Sequence, residues 1–219
     1  HVKALGAEPI LISLIGNDEI GNETIKNLND IGVKNIMIKD ENRPTTLKKR
    51  YLVENQKVFR VSKLEDKSVS TDIERKIIDA LEKHAKDCNG IIVSDFVYGL
   101  ITPKIISSIK KVSKKYNLFV FGDVQCSSQV GDVTKFEGFS CICPNEKEAR
   151  IALKDKDSGL EKICQELIKK TSSKALMLTL GAEGLIAFDC NNPNNIIRQA
   201  FPALSVNPID VSGAGDSLL

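Results

Sequence analysis

The chain has 219 residues, 42% hydrophobic and 27% charged, and its 31 Lys and Arg against 29 Asp and Glu leave a formal charge of +2. That length can bury a substantial core, and the even charge balance offers no broad basic surface for nucleic acid. No run approaches the roughly 20 apolar residues of a membrane span, and 14 glycines with 7 prolines exclude a collagen-like or disordered chain. A globular protein with neither a nucleic-acid nor a membrane partner is expected.

Six cysteines lie at irregular spacing (Cys88, Cys126, Cys141, Cys143, Cys164 and Cys190), and the only histidines are His1 and His84. Without a C-x-x-C pair this set lacks the usual ligands of structural zinc. The thiols read as small packed apolar groups, Cys141 and Cys143 sharing one face of a strand. Reduced thiols with no targeting segment make the cytoplasm the expected compartment.

In chain order, His1–Gly6 reads as the last turn of a helix with a glycine stop. Pro9–Ile15 is a continuous apolar run, as a strand buried on both faces would be. Asp18 can cap a helix through Leu28 that stops near Gly32, and Val33–Ile38 returns as a strand. Thr45–Val53 and Lys57–Lys63 are β-rich runs around a polar turn at Glu54-Asn55-Gln56-Lys57, with no helix between them. Thr71 with Glu74 forms a capping-box pattern opening a helix that carries Ile73, Ile77, Ile78 and Leu81. Gly90–Ser94 is the next buried strand, followed by Thr102-Pro103 as N-cap and first helical residue. Leu118–Phe121, Phe139–Cys143 and Ala175–Thr179 read as strands. Helices fit Glu146–Leu153 and, from a second capping-box pattern at Ser158 and Glu161, a stretch to about Lys170.

Strands separated by helices of this length imply parallel pairing through crossovers, hence an α/β protein with a three-layer α/β/α sandwich. The expected organisation is one domain over 1–219 with a hairpin, about 44–64, protruding as a lid or dimer contact.

Ligands of α/β sheets sit at the carboxyl ends of the strands. Neither a G-x-x-x-x-G-K-[ST] loop nor a G-x-G-x-x-G after a strand is present, so a Walker-type NTPase and a Rossmann dehydrogenase are unsupported. Near the end, Asp210-Val211-Ser212-Gly213-Ala214-Gly215-Asp216 offers backbone N–H groups of Gly213, Ala214 and Gly215 that can converge on an anion. A carboxylate at such a nest repels a bound phosphate, but suits a base that takes the proton of an attacking hydroxyl. The competing reading of the same residues is a glycine turn with Asp216 as an ordinary N-cap.

Asp210–Asp216 closely resembles the D-T-x-G-A-G-D signature of the ribokinase-like, or PfkB, family of carbohydrate kinases. Asn145-x-x-Glu148 and Thr179-x-Gly181-x-x-Gly184 follow in that family's order, and Leu5–Val33 is similar to its early glycine-rich pattern, so the resemblance covers nearly the whole chain. It implies a ribokinase-like fold and phosphoryl transfer from ATP to a hydroxyl of a sugar or sugar phosphate. By the same resemblance Asp216 is the catalytic base and Gly213–Gly215 the anion hole. Thr179, Gly181 and Gly184 contact the nucleotide, Asn145 and Glu148 hold Mg²⁺ through water, and a monovalent cation lies near Asp210. For Asn145 and Glu148 a plain capping box competes, and for Thr179–Gly184 a plain turn.

Within the family, Arg43-Pro44-Thr45-Thr46-Leu47-Lys48-Lys49-Arg50, with Gln56, Arg60 and Glu65, resembles kinases acting on heptose 7-phosphate in ADP-heptose synthesis. Lys48, Arg50 and Arg60 would then bind the substrate's phosphate, Asp95 a sugar hydroxyl, and the hairpin would support a homodimer. The alternative for the cations is a solvated edge strand. Two positions depart from that branch. Tyr98 in Ser94-Asp95-Phe96-Val97-Tyr98-Gly99 and Gln125 in Asp123-Val124-Gln125 each stand where the branch carries lysine, which weakens the heptose assignment. The second hypothesis, a non-catalytic relative that binds a sugar phosphate, gains from these losses but is opposed by the intact Asp216, Gly213 and Gly215. The resemblance also places the first sugar contacts before His1 and the adenine wall after Leu219, so the 219 residues are expected to be a piece of a longer protein, without kinase activity alone.

Overall fold

A computed structural model describes residues 1–53, 56–125, 129–192 and 195–203. It contains β1 (Ile10–Gly16), α1 (Glu19–Asp30), β2 (Lys34–Asp40), β3 (Leu47–Val53), β4 (Gln56–Lys63), α2 (Thr71–Ala85), β5 (Gly90–Asp95) and α3 (Pro103–Tyr116). β6 (Phe119–Val124), β7 (Cys141–Ile142), α4 (Glu146–Leu153), α5 (Leu160–Thr171), β8 (Ala175–Thr179), β9 (Leu185–Asp189) and β10 (Ile197–Phe201) follow. The chain divides into two compact units, His1–Lys83 with Tyr98–Ile105, and His84–Val97 with Ile106–Leu219.

In the first unit β1 and β2 pair in parallel from Ile10↔Lys34 to Gly16↔Asp40, with α1 as the crossover. Asp18 caps α1, its Oδ1 accepting the Gly21 N–H at 2.9 Å, and the helix ends before Gly32. β1 is less covered than its apolar run suggests: Leu11 is exposed, and only Ile15 and Gly16 are buried. β3 and β4 form the expected antiparallel hairpin, with a bulge at Tyr51/Leu52. α2 buries Ile73, Ile77 and Leu81, as its spacing demands. Its start differs from the sequence pattern. The helix begins at Thr71, so Ser70 is the cap and its hydroxyl accepts the Ile73 N–H, while Glu74 bonds the Thr102 hydroxyl and the Lys104 ammonium. Thr102 also accepts the Ile105 N–H at 3.2 Å, the expected cap of α3.

The second unit is built on one sheet of order β10-β9-β8-β7-β6-β5. β5 to β8 run parallel, joined by α3, by a loop with a short 3-10 turn (Val133–Phe136), and by α4 with α5, while β9 and β10 are antiparallel because their connections are too short for a crossover. Residues Phe139–Cys143 narrow to the two-residue strand β7. The core is close-packed around Phe136, Phe139, Ile142, Leu167, Leu176 and Leu178, all below 2% exposed. Phe136 and Phe139 stack at 4.9 Å over Gly122, where a Cβ would lie 2.7 Å from the Phe136 ring. β5 stands at one edge of this sheet, and its Ile92 is exposed on a run that reads as buried. α5 starts from Gly159 with no side-chain cap, because Asp155 captures the Ser158 N–H at 2.9 Å and the Ser158/Glu161 box does not form.

Candidate functional site

Three polar positions stand at the carboxyl ends of the parallel strands in the second unit: Asp95 closes β5, Asn145 follows β7 and Thr179 closes β8. Pro144, fully buried, accepts the Thr179 N–H at 3.0 Å, and Asn145 and Thr179 form an isolated parallel bridge. Two segments 34 residues apart are thereby fixed side by side. Asn145 caps α4 in a complete box: its Oδ1 accepts the Glu148 N–H at 2.9 Å, and Glu148 Oε2 accepts the Asn145 N–H at 2.8 Å. The capping-box reading of this pair is what forms, and the cap fixes a buried carboxylate at the start of α4.

Asn145, Thr179 and Gly181 line one open groove of about 930 Å³, to which α4 and the loop after it add Lys147, Arg150, Lys154 and Lys156. Arg150 is tied down by Glu146 at 2.8 Å and by the Ser158 carbonyl at 2.9 Å. Nothing in the sequence patterns marked these cations, which meet only because α4 and the loop after it fold onto one side. Gly184 stands outside the lining. With φ +98° it takes the left-handed region, and a Cβ there would lie 2.0 Å from the Phe201 carbonyl oxygen. Its missing side chain thus admits the end of β10.

Asp95 is 4% exposed. Its Oδ1 accepts the Val97 N–H at 2.8 Å, holding Val97 at φ +61°, and its Oδ2 meets the ammonium of Lys135. Lys135, which the sequence analysis missed, lies 40 residues away in a short 3-10 turn (Val133–Phe136). Behind the strand ends Cys141 and Cys143 lie 3.9 Å apart, sulfur to sulfur, both buried. The Cys141 contact, burial and the Asp123 charge push the Cys143 thiol up, and burial pushes Cys164 up to about 11. Cys143 and Cys164 stay protonated, as packed apolar groups should, whereas the contact with Cys143 pulls the Cys141 thiol down. No cluster of three metal-ligating side chains occurs among the described residues.

In the first unit the hairpin register sets Arg50 directly opposite Arg60 and Lys48 opposite Ser62, so the three expected substrate cations share one face. Arg50 and Arg60 are exposed, and the Lys48 ammonium stands 5.0 Å above the Tyr98 ring. The hairpin root is buried and heavily bonded. Thr45 donates its hydroxyl to Asp18 Oδ1 at 2.6 Å and its N–H to Oδ2 at 2.9 Å, and accepts the Gly16 N–H at 2.9 Å. The Thr45 hydroxyl is the main reason the Asp18 carboxyl is held below its ordinary range. Arg43 bonds Asp40 at 2.9 Å, both side chains below 9% exposed, and donates to the Tyr98 and Lys67 carbonyls. The sequence showed these residues as part of a motif, without their anchoring task. Gly213, Ala214, Gly215, Asp216 and Asp210 lie outside the described residues.

Residues 2–219 match the family model for pfkB family carbohydrate kinases. The curated relatives include the bifunctional protein HldE of Trichlorobacter lovleyi, 30% identical over 224 residues. That of Campylobacter jejuni subsp. doylei is 29% identical over 222. Each alignment covers 100% of this chain but only 44% of the relative, so the chain spans less than half the length of these proteins. Among solved structures, ribokinase from Giardia lamblia is similar with a TM-score of 0.73 at 18% identity, over 94% of this chain and 63% of that one. Escherichia coli phosphofructokinase-2 in complex with fructose-6-phosphate gives 0.72 at 17%, over 99% and 69%. At these identities the structural likeness shows the fold alone, which is the expected ribokinase-like α/β arrangement. With its strand-end motifs in the family's order and the match running almost from end to end, the chain belongs to the pfkB family of carbohydrate kinases.

Proposed function

We propose that the protein transfers a phosphoryl group from ATP to a hydroxyl of a sugar phosphate, with heptose 7-phosphate as the first acceptor to test. The observation that carries this reading is the fixed meeting of Asn145, Thr179 and Gly181 around one groove at the carboxyl ends of β7 and β8, with Glu148 bonded to Asn145 through the cap of α4. The Thr179 hydroxyl and the Gly181 backbone would contact nucleotide phosphates there. Asn145 and Glu148 fit a Mg²⁺ ion held through its own waters: the donors are oxygens, one a buried carboxylate with its direction set by the cap. When bound, that ion neutralises charge on the phosphates. Asp216 takes the proton of the acceptor hydroxyl, and the N–H groups of Gly213, Ala214 and Gly215 stabilise charge on the transferring group. A monovalent cation near Asp210 belongs to the same proposal.

On the acceptor side, Asp95 accepts from a sugar hydroxyl and Lys48, Arg50 and Arg60 take the substrate's own phosphate. The hairpin register sets Arg50 opposite Arg60 on the face that also carries Lys48, and this clustering of cations supports an anion site. The other face presents exposed Tyr51 and Phe59, stacked at 4.3 Å, with exposed Val61, which supports a homodimer through the hairpin. No helix among the described residues is long and apolar enough to cross a membrane. Free thiols at Cys88, Cys141, Cys143, Cys164 and Cys190 support a reducing compartment, the cytoplasm.

The test is a phosphorylation assay of the full-length gene product against a panel of sugar phosphates and their unphosphorylated analogues. Product from a phosphorylated sugar is expected. Binding of sugar phosphates with no transfer to any of them would replace the kinase with a non-catalytic binding relative.

A further inference from the structure

Asp95 presents a physical problem that the sequence does not reveal. A carboxylate 4% exposed is costly to bury unless a cation balances it. The branch that this chain resembles carries lysines at positions 98 and 125, and this chain has Tyr98 and Gln125 instead. The balancing charge comes from elsewhere: Lys135 reaches Asp95 Oδ2.

The placement of Lys135 is not incidental. Its turn is pinned on both sides by Val133 and Phe136, each 0% exposed, and is capped by Asp132, whose carboxylate accepts the Thr134 N–H at 2.8 Å. Gly122 of the neighbouring strand makes room for the Phe136 ring. The Lys135 ammonium lies 5.3 Å from that ring, and its side chain keeps 26% of its exposure. The Val97 N–H holds the other carboxylate oxygen at 2.8 Å. Asp95 is therefore gripped from two sides, by a backbone amide of its own loop and by an ammonium anchored in the core. A carboxylate so held keeps lone pairs for a further donor, since each of its oxygens can accept twice.

We propose that Lys135 is the positioning residue of Asp95, balancing and orienting the buried carboxylate so that it can accept from a hydroxyl of the acceptor sugar. The proposal rests on the kinase reading for the role of Asp95, and its test separates the two.

In the full-length protein, with heptose 7-phosphate as acceptor, Lys135→Met should raise the acceptor KM about tenfold or more, the scale of a lost hydrogen bond to a charged group. The KM for ATP should stay within about twofold, because orientation is lost on the acceptor side only. Lys135→Arg should restore most of the acceptor KM. Because Lys135 acts through Asp95, adding Lys135→Met to Asp95→Asn should cost little beyond Asp95→Asn alone. Effects that multiply, or an acceptor KM that Lys135→Met leaves unchanged, overturn the proposal. An arm that needs no activity is competitive amine labelling with acetic anhydride. In Asp95→Asn, labelling of Lys135 should rise about threefold or more as the ion pair is lost, while Lys147 stays constant. Unchanged labelling of Lys135 overturns the pairing whatever the substrate. Labelling as expected in a protein that phosphorylates no sugar supports the pairing and overturns the kinase reading.

Discussion

The charged hairpin and the strand-end positions, both proposed to meet a ligand, hold their polar groups in opposite ways. Around Asn145, Glu148 and Thr179 the polar groups are fixed by a fully buried frame: Pro144, Ile142, Leu176 and Leu178 lie directly behind them. The cations Arg50 and Arg60 stand exposed on a two-stranded ribbon, and what fixes them lies at its root, in the Asp40–Arg43 and Asp18–Thr45 contacts. A site built on a core inherits the core's rigidity, whereas a ribbon is only as well placed as its anchor. Damage to the frame should thus unsettle the whole second unit, and damage to the root should act on the hairpin cations first.

The largest expected effect comes from breaking the root. Arg43→Ala leaves Asp40 buried without its partner and should destabilise the first unit by about 3–5 kcal/mol. Denaturant unfolding followed by a probe on the hairpin measures it. A loss under about 1 kcal/mol would class the pair with surface salt bridges and remove the contrast between root and ribbon.

Next comes Asp216→Asn, expected to keep ATP affinity and lower phosphoryl transfer by roughly 100-fold or more, the low end for removing a general base. Single-turnover kinetics with calorimetric ATP binding decide it, and near-normal transfer would return Asp216 to a helix cap. A smaller effect belongs to the ribbon: Lys48→Ala with Arg50→Ala should raise KM for a phosphorylated sugar about tenfold more than for its unphosphorylated analogue. Equal changes would make the hairpin face a solvated edge.

The smallest effect is a pH dependence at the root. Asp18 is held below its ordinary range chiefly by the Thr45 hydroxyl, then by the Thr45 and Gly21 N–H groups. A lowered folded pKa gives stability that is present above the unfolded value, about 3.9, and is lost as pH falls through the folded one. Amide exchange at Gly16 and Thr45 should therefore accelerate relative to the rest of the chain below about pH 4, and Asp18→Asn should abolish that step. Exchange that tracks global unfolding would show that the root has no acid-sensitive element of its own.

Much of this was legible in the amino-acid order because it is local chemistry. The Asp18 and Thr102 caps, the Asn145–Glu148 box, the hairpin at Thr45–Lys63 and the strands at Gly90 and Ala175 depend on residues within a few positions of one another, and they stand as read. Two local patterns failed where another partner took the bond: Glu74 left its box for the distant Thr102 and Lys104, and Ser158 gave its N–H to Asp155, three residues before it.

By itself, the sequence determined the α/β alternation, the family motifs and the alternation that puts Lys48 and Arg50 on one face. Tertiary structure alone decided that Arg50 faces Arg60, that Arg43 locks the hairpin root and that Lys135 balances Asp95 across 40 residues. The reason is energetic. A charge can be buried only where the whole fold brings its counter-charge, and no local spacing encodes which distant lysine or arginine that will be.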